Sequence, residues 1–383
     1  MKKTLAAVAV LGAFAGSALA ADVQLYGIID TGLLYTHFDA DTANVDATDK
    51  FSMESGMASG SRFGFKGTED LGNGLTVGFV LENGFTSDDG AEKTPFFDRE
   101  SSLFLQGGFG KVAFGHMGSI NGGTSSWGKY GMISAFGTSW GKYSAQAGNW
   151  AMGAGMWDNM ISYQTPTFAG FTVYAQYAMG NAAKGVENES SSDRYYALGA
   201  TYANGPLNLY FAVDSINYAS ATITQNATTV LDMDDSLTVT LGGNFDFEVV
   251  KLFAGAQYFD EIQLSKMNGA MQLAPATATA TAFAEKMEGW SLGVSASIPA
   301  AGGTVLVGAA YLDAEAAGSV TDAAKDDELN RWIVSAGYDY PFSKRTDVYG
   351  VVTYNQDQMD SKTAVNDRDP SVYGVMVGLR HKF

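Results

Sequence analysis

The sequence predicts an all-β protein: a sixteen-stranded antiparallel transmembrane β-barrel. Three observations lead there. Apolar and polar residues alternate in runs of about 8–11 residues along the chain. The connections between these runs are short and long in turn. The chain opens on an export signal, and no later apolar stretch reaches the roughly 20 residues that a membrane-spanning helix needs.

The export signal is "MKKTLAAVAVLGAFAGSALAAD". Two lysines precede an apolar stretch over residues 5–16, and Ala18-Leu19-Ala20 supplies the small residues of a cleavage site. The reading is a signal peptide over residues 1–20 and a single barrel domain over residues 21–383. Composition agrees. The chain is 17% charged and 13% aromatic, with 46 glycines and seven prolines, a balance that favours strands over helices. There is no cysteine, so a large exported chain must be held by hydrogen bonds and packing alone. The net charge of −18 and pI near 4.4 argue against nucleic acid as a partner, because phosphate binding needs clustered Lys and Arg.

The runs follow in order. "DVQLYGIIDTGLLY" sets Val23, Leu25, Ile29 and Leu33 on one face. "GLTVGFVLENG" sets Leu75, Val77, Phe79 and Leu81 against Thr76, Gly78 and Glu82. "GFTVYAQYAMG", "PLNLYFAVDS", "GWSLGVSASI" and "RWIVSAGYDY" repeat the pattern. About sixteen such runs need fifteen connections. Seven are short and carry turn residues: "TEDLGNG", "GGFG", "TPTFAG", "ANGP", "DFEVV", "IPAAGG" and "PFSKR". Eight are long, centred on residues 39–50, 86–97, 118–157, 180–192, 218–235, 263–286, 314–328 and 358–369. A soluble β-sandwich also alternates, but its strands are shorter and its loops do not sort by length onto one end. A transmembrane barrel predicts both features. Tyr35, Tyr202, Tyr311, Tyr340 and Tyr373 at run ends suit interfacial girdles.

The last run, "SVYGVMVGLRHKF", has to close the barrel. Tyr373, Val375, Val377, Leu379, His381 and Phe383 share its lipid-facing side.

Several motifs now point to a family. "VQLYGIIDTGL", "SRFGFKGTEDLGNGLTVGFVLENGF", "DRESSLFLQGGFGKVAFGH", "WDNMISYQTPTFAGFTVYAQY", "YALGATYANGPLNLYFAV" and the terminal "YGVMVGLRHKF" occur in the order and spacing of the general Gram-negative porins. The chain most resembles the trimeric porins of betaproteobacterial type. That resemblance implies a sixteen-stranded barrel, a homotrimer in the outer membrane with lipid and lipopolysaccharide around it, and passive diffusion of small hydrophilic solutes. It also implies a third loop folded back into the lumen, arginines on the wall facing acids on that loop, and a C-terminal Phe383 read by the barrel-assembly machinery. No cofactor or metal is implied.

The same resemblance names the pore-lining residues. Arg62 and Lys66 match the family's wall cations, Glu82 a wall carboxylate and Arg99 a further arginine. Alternation independently sets Arg62 and Lys66 opposite Phe63 and Phe65, and a charge facing mid-depth hydrocarbon costs about 2–4 kcal/mol. Alternation also puts Glu82 inside. It is less decisive for Arg99, which shares a face with Leu103 and Leu105.

Residues 118–157 form the longest loop and are expected to be the in-folded constriction. They hold Trp127, Trp140, Trp150 and Trp157, with Tyr130, Phe136 and Tyr143. Lys129 and Lys142 are the loop's charges, so the usual loop acids are missing, and Met156 stands where the family commonly has arginine. The rings either pack the loop against the wall or stack on sugar rings. The second choice would make a sugar- or peptide-preferring channel on the same fold. Acid gathers elsewhere, at Asp39, Asp41, Asp46 and Asp49, at Glu187 and Glu189, at Asp232, Asp234 and Asp235, and at Asp322, Asp326, Asp327 and Glu328. The spacing makes no defined calcium site, and a solvated, repelling mouth is expected. His37, His116 and His381 lie on separate runs with no catalytic spacing, so the expectation is a channel and not an enzyme.

Overall fold

The structure is a computed structural model. It describes residues 22–42, 45–137, 155–180, 187–189, 191–219, 223–225, 229–231, 234–263, 284, 286–318, 324–362 and 367–383. The expected signal peptide lies outside the described residues.

The alternating runs become strands. In chain order these are β1 (Gln24–Asp39), β2 (Thr48–Ser55), β3 (Arg62–Gly72), β4 (Leu75–Gly84), β5 (Glu100–Gly107), β6 (Gly110–Gly118), β7 (Met156–Gln164), β8 (Phe171–Ala178), β9 (Arg194–Asn204) and β10 (Leu207–Asn217). They continue as β11 (Ile223–Gln225), β12 (Thr229–Leu231), β13 (Leu237–Asp246), β14 (Lys251–Gln263), β15 (Lys286–Ala300), β16 (Gly303–Ala316), β17 (Glu328–Pro341), β18 (Thr346–Asp360) and β19 (Ser371–Lys382). β11 and β12 pair only with each other; the other seventeen form one antiparallel sheet that closes where β19 meets β1. β2 and β3 lie end to end beside β1, so the seventeen strands make sixteen staves.

Short and long connections alternate as expected. At the β3–β4 hairpin Asn73 and Gly74 both take left-handed conformations, φ 53° and 73°, as a tight two-residue turn requires. The outer face is apolar: Leu33, Leu103, Phe114, Leu198, Leu241, Val294, Val334 and Val377 are all exposed. Aromatic pairs rim it at both ends. Phe171–Tyr202 and Tyr340–Phe342 sit near short turns, and Tyr35–Tyr373 and Trp290–Tyr311 near long loops.

The seam closes tightly. Gly27 and Phe383 exchange backbone hydrogen bonds of 3.1 and 3.0 Å. The Phe383 ring lies over Gly27, where a Cβ would stand 2.3 Å from it.

One wall feature was not legible in advance. Residues 56–61 leave the sheet between β2 and β3. Thr31 still pairs with Ser55 and Ile28 with Arg62, so two residues of β1 face six on its neighbour. The excursion turns inward and buries Met57 and Ala58 in a cluster with Leu34, Phe136, Tyr349 and Met376. Asp30, fully buried on β1, replaces the lost ladder. It accepts hydrogen bonds from the backbone N–H groups of Ala58 (3.0 Å) and Ser59 (2.6 Å) and from the Tyr349 hydroxyl (2.5 Å). Tyr349 gets there by lying across Gly378, where any Cβ would meet the ring at 2.3 Å or less.

Removing a buried acceptor strands its donors, at about 1–3 kcal/mol each. Asp30→Ala is therefore expected to lower the unfolding midpoint of the detergent-solubilised barrel by more than Tyr349→Phe, which removes one donor. Equal midpoints for wild type and Asp30→Ala in a urea titration would show that the excursion does not depend on Asp30.

Candidate functional site

The third long connection runs inside the barrel. Among its described residues, 119–137 and 155, the chain leaves β6 and crosses the lumen by a series of neutral hydrogen bonds. Ile120 N–H donates to Gln176 Oε1 on β8 (2.7 Å), and Tyr210 on β10 donates its hydroxyl to Asn121 Oδ1 (3.1 Å). Asn121 Nδ2 donates to Thr240 on β13 (2.9 Å), Asn244 Nδ2 to Met132 O (2.8 Å), and Ala135 N–H to Ser295 on β15 (2.9 Å). A short 3-10 turn, Tyr130–Ile133, sits mid-way. Trp127, Tyr130 and Phe136 are buried, so these rings pack the loop against the wall. Trp157, counted with the loop on sequence grounds, belongs to β7 and stacks on Tyr195 at 5.2 Å. Trp140, Lys142, Tyr143 and Trp150 lie outside the described residues.

Four of the expected pore residues meet in one place. Arg62, Lys66, Glu82 and Arg99 line a lumen cavity of about 430 Å³, together with Tyr26, Glu100, the excursion at Gly56–Gly60 and the loop at Gly123–Ser126. Glu82 is the shared acceptor. Arg99 Nε donates to its Oε1 at 2.6 Å, and Arg62 Nε stands 3.6 Å from Oε2. The ambiguity over Arg99 resolves through its position: it precedes the first residue of β5, so that strand's alternation does not bind it. Arg62 Nη1 also donates to Gly60 O (3.0 Å), which ties the guanidinium to the excursion. Lys66 is exposed to the lumen, 5.2 Å from the centre of the Tyr26 ring.

Lys129 does not reach this cavity. It sits on the loop beside Tyr174, 5.1 Å from the ring centre.

Sequence reasoning missed Glu100. It is 2% exposed, and it accepts hydrogen bonds from Ser126 N–H (2.8 Å), Ser126 Oγ (3.0 Å) and Ser102 Oγ (2.7 Å). The acid that the loop lacks is thus on the wall, gripping the loop. Period-two reading of "ESSLFLQG" could have found it, since Glu100 falls with Ser102 opposite Leu103. Also missed were the inward ion pairs along β14–β19. Arg331 makes a bidentate pair with Asp357 (2.6 and 2.8 Å), Arg380 pairs with Asp347 (3.0 Å) and Asp339 (3.1 Å), and Lys286 with Glu261 (2.9 Å).

The long-loop end is acidic. The Thr86 hydroxyl holds the Asp89 carboxyl below its ordinary range, and Lys362 does the same for Asp326. Asp369 is pushed up, by burial first and then by Asp41, Asp360 and Asp367. Among the described residues, no group of three acids or histidines is arranged to hold a metal ion.

A closed sixteen-stave barrel with charged inner walls and a loop across the lumen is a channel. Comparison with known proteins agrees. The family profile described as Gram-negative porin matches residues 6–360. An outer membrane porin protein of Bordetella pertussis is 33% identical over the full length of both chains. Outer membrane porin protein 32 of Delftia acidovorans is 30% identical, again over the full length of both. Among solved structures, an anion-selective porin from Comamonas acidovorans superposes with a TM-score of 0.68 at 26% identity, covering 95% of this chain and 100% of that one. The chain belongs to the Gram-negative porin family.

Proposed function

We propose that this outer-membrane porin, a passive diffusion channel for small hydrophilic solutes and ions, favours anions weakly. The observation that carries the reading is the lumen cavity beside the loop. Three cations, Arg62, Lys66 and Arg99, face two carboxylates there, and Glu100 is already engaged by the loop. The net charge of −18 points the other way. Much of that charge lies on outer loops, however, and salt screens it over about 8–10 Å at 0.1–0.15 M. Ions feel the wall most where the lumen narrows and low-dielectric walls concentrate the field. A related porin's recorded anion selectivity supports this direction.

On this reading residues 118–157 form the constriction, with Lys129 and Lys142 adding positive charge. The protein assembles as a homotrimer among outer-membrane lipid and lipopolysaccharide, after residues 1–20 are removed and the barrel-assembly machinery has read Phe383. Sugar or peptide selectivity gains nothing from the loop's described rings, which are buried in packing.

Reversal potentials across potassium chloride gradients test the selectivity. A unit charge about 4 Å from a passing ion in water-like surroundings is worth about 1 kcal/mol, roughly a fivefold change in relative permeability. Arg62→Ala should lower the anion preference by up to that factor. Glu82→Gln should raise it, because it releases two guanidinium groups. Strong cation selectivity of the wild type in molar potassium chloride would sink the proposal.

Deleting residues 122–150 should raise single-channel conductance and admit larger solutes. A folded deletion variant of unchanged conductance would mean that the loop is not what limits flow.

Deletion of Phe383 should reduce the heat-modifiable, folded protein recovered from outer membranes. Its ring covers Gly27 at the seam, so refolding of the purified variant in detergent separates a seam defect from failed delivery. Wild-type yield in the membrane would refute the assembly role.

A further inference from the structure

Lys111 and Lys129, inside the barrel, have no carboxylate hydrogen-bond or ion-pair partner among the described residues. Lys111 on β6 points its ammonium at aromatic faces instead, 4.1 Å from the centre of the Phe104 ring and 5.0 Å from that of Trp127. Lys129, on the loop that crosses above, stands 5.1 Å from the centre of the Tyr174 ring. Both residues are half-buried. Burial pulls the Lys129 ammonium below its ordinary value, and the charge of Lys111 adds to the effect, so the two feel one another.

Sheet register puts the surrounding groups in one row. Gln106 on β5 pairs with Lys111, Lys111 with Gln164 on β7, and Gln164 with Tyr174 on β8. Two strand spacings, about 10 Å, separate Lys111 from Tyr174 at the backbone. Neither glutamine amide has a protein hydrogen-bond partner among the described residues. The row lies toward the short-turn end, whereas Arg62 and Arg99 lie nearer the long-loop end. Glu100 acts on Lys111 through space. Its two oxygens are taken by Ser126 and Ser102.

An aromatic face holds an ammonium in place without neutralising it. A carboxylate would hold it and cancel it. The loop and wall therefore fix two half-buried positive charges beside two amides without a protein hydrogen-bond partner among the described residues.

We infer that Lys111 and Lys129, with Gln106 and Gln164, form a second anion station below the loop that binds the oxyanion group of a small solute, a carboxylate or a phosphate. The inference rests on the anion-favouring reading above and extends it. An oxyanion leaving the arginines at Arg62 and Arg99 is passed to the lysine row before it reaches the periplasm. Binding at two successive sites, each weak enough to release, is how a pore favours a solute and still conducts it.

The test is single-channel recording of the full chain in potassium chloride, with acetate or inorganic phosphate added as probe. In the wild type, the probes should reduce chloride current in a saturable way. In the Lys111→Met/Lys129→Met double variant, whose side chains still cover the rings, the half-blocking concentration should rise at least tenfold. Lys111→Arg/Lys129→Arg should retain block, which guards against a folding defect in the methionine variant. Block by acetate alone assigns a carboxylate station, block by phosphate alone a phosphate station, and block by both an oxyanion station without further choice. No saturable block in the wild type, or equal block in the methionine variant, overturns the station. If the wild-type reversal potential remains anion-directed in that case, the anion-favouring reading survives. A cation-directed potential with saturable block retained overturns that reading and leaves the station.

Discussion

Hydrocarbon accepts no hydrogen bonds, so every backbone N–H and C=O at membrane depth must find a partner within the protein. The rest of this structure follows from that constraint. Sixteen staves satisfy it only by closing, and closure depends on the β19–β1 seam. Closure in turn gives each stave one lipid face and one lumen face. Leu33, Leu103, Phe114 and Val377 then have to point outward, and Asp30, Glu82, Glu100 and Arg380 inward. The interruption at residues 56–61 obeys the same rule. The wall opens toward the lumen, and Asp30 supplies the acceptor that the missing ladder would have supplied. A break facing lipid would have found no such partner.

Charge inside the barrel divides into two kinds. On the wall of β14–β19, cations and carboxylates match in close pairs: Arg331 with Asp357, Arg380 with Asp347 and Asp339, Lys286 with Glu261. These pairs are nearly all buried, and removing one partner of such a pair leaves a costly unpaired charge. They brace neighbouring staves and offer little net field to a solute. In the cavity beside the loop, three cations, Arg62, Lys66 and Arg99, face two carboxylates, Glu82 and Glu100. The proposed selectivity rests on that local surplus and not on the sum over the chain.

How legible this was depends on which residues answer to their own stave. Phe63 and Phe65 against Arg62 and Lys66 could be read directly, because lipid on one side and water on the other force period two. The Asn73-Gly74 turn was legible for a similar reason, since few residues tolerate left-handed backbone there. The excursion at 56–61 was not. Its signal is a few small residues, "GMASGS", and what holds it is Asp30, more than twenty positions earlier, with Tyr349 from the far end of the chain. Arg99 was ambiguous because its strand starts one residue after it. Glu100 was readable by alternation, but its role depends on the loop reaching it, and no local pattern encodes that. The lysine row needs three registers at once, those of β5–β6, β6–β7 and β7–β8.

The loop's missing acids and its abundant rings are two sides of one physical choice. A loop crossing a water-filled lumen must be anchored on both walls. Acids on the loop would anchor it by pairing with wall arginines, and each such pair would cancel a positive charge. Here the anchors are neutral: Asn121 on Thr240, Met132 O on Asn244, Ala135 on Ser295, and Trp127 and Phe136 buried in the packing. The acid that does grip the loop, Glu100, is on the wall, and it holds the loop through a serine and not through a cation. The positive charges are left uncancelled as a result. Arg62 and Arg99 share a single carboxylate, and Lys111 and Lys129 are held by ring faces that leave their charge intact. On the proposed reading, anchoring without ion pairs is what keeps the narrow part of the lumen positive in a protein whose chain as a whole carries a net charge of −18.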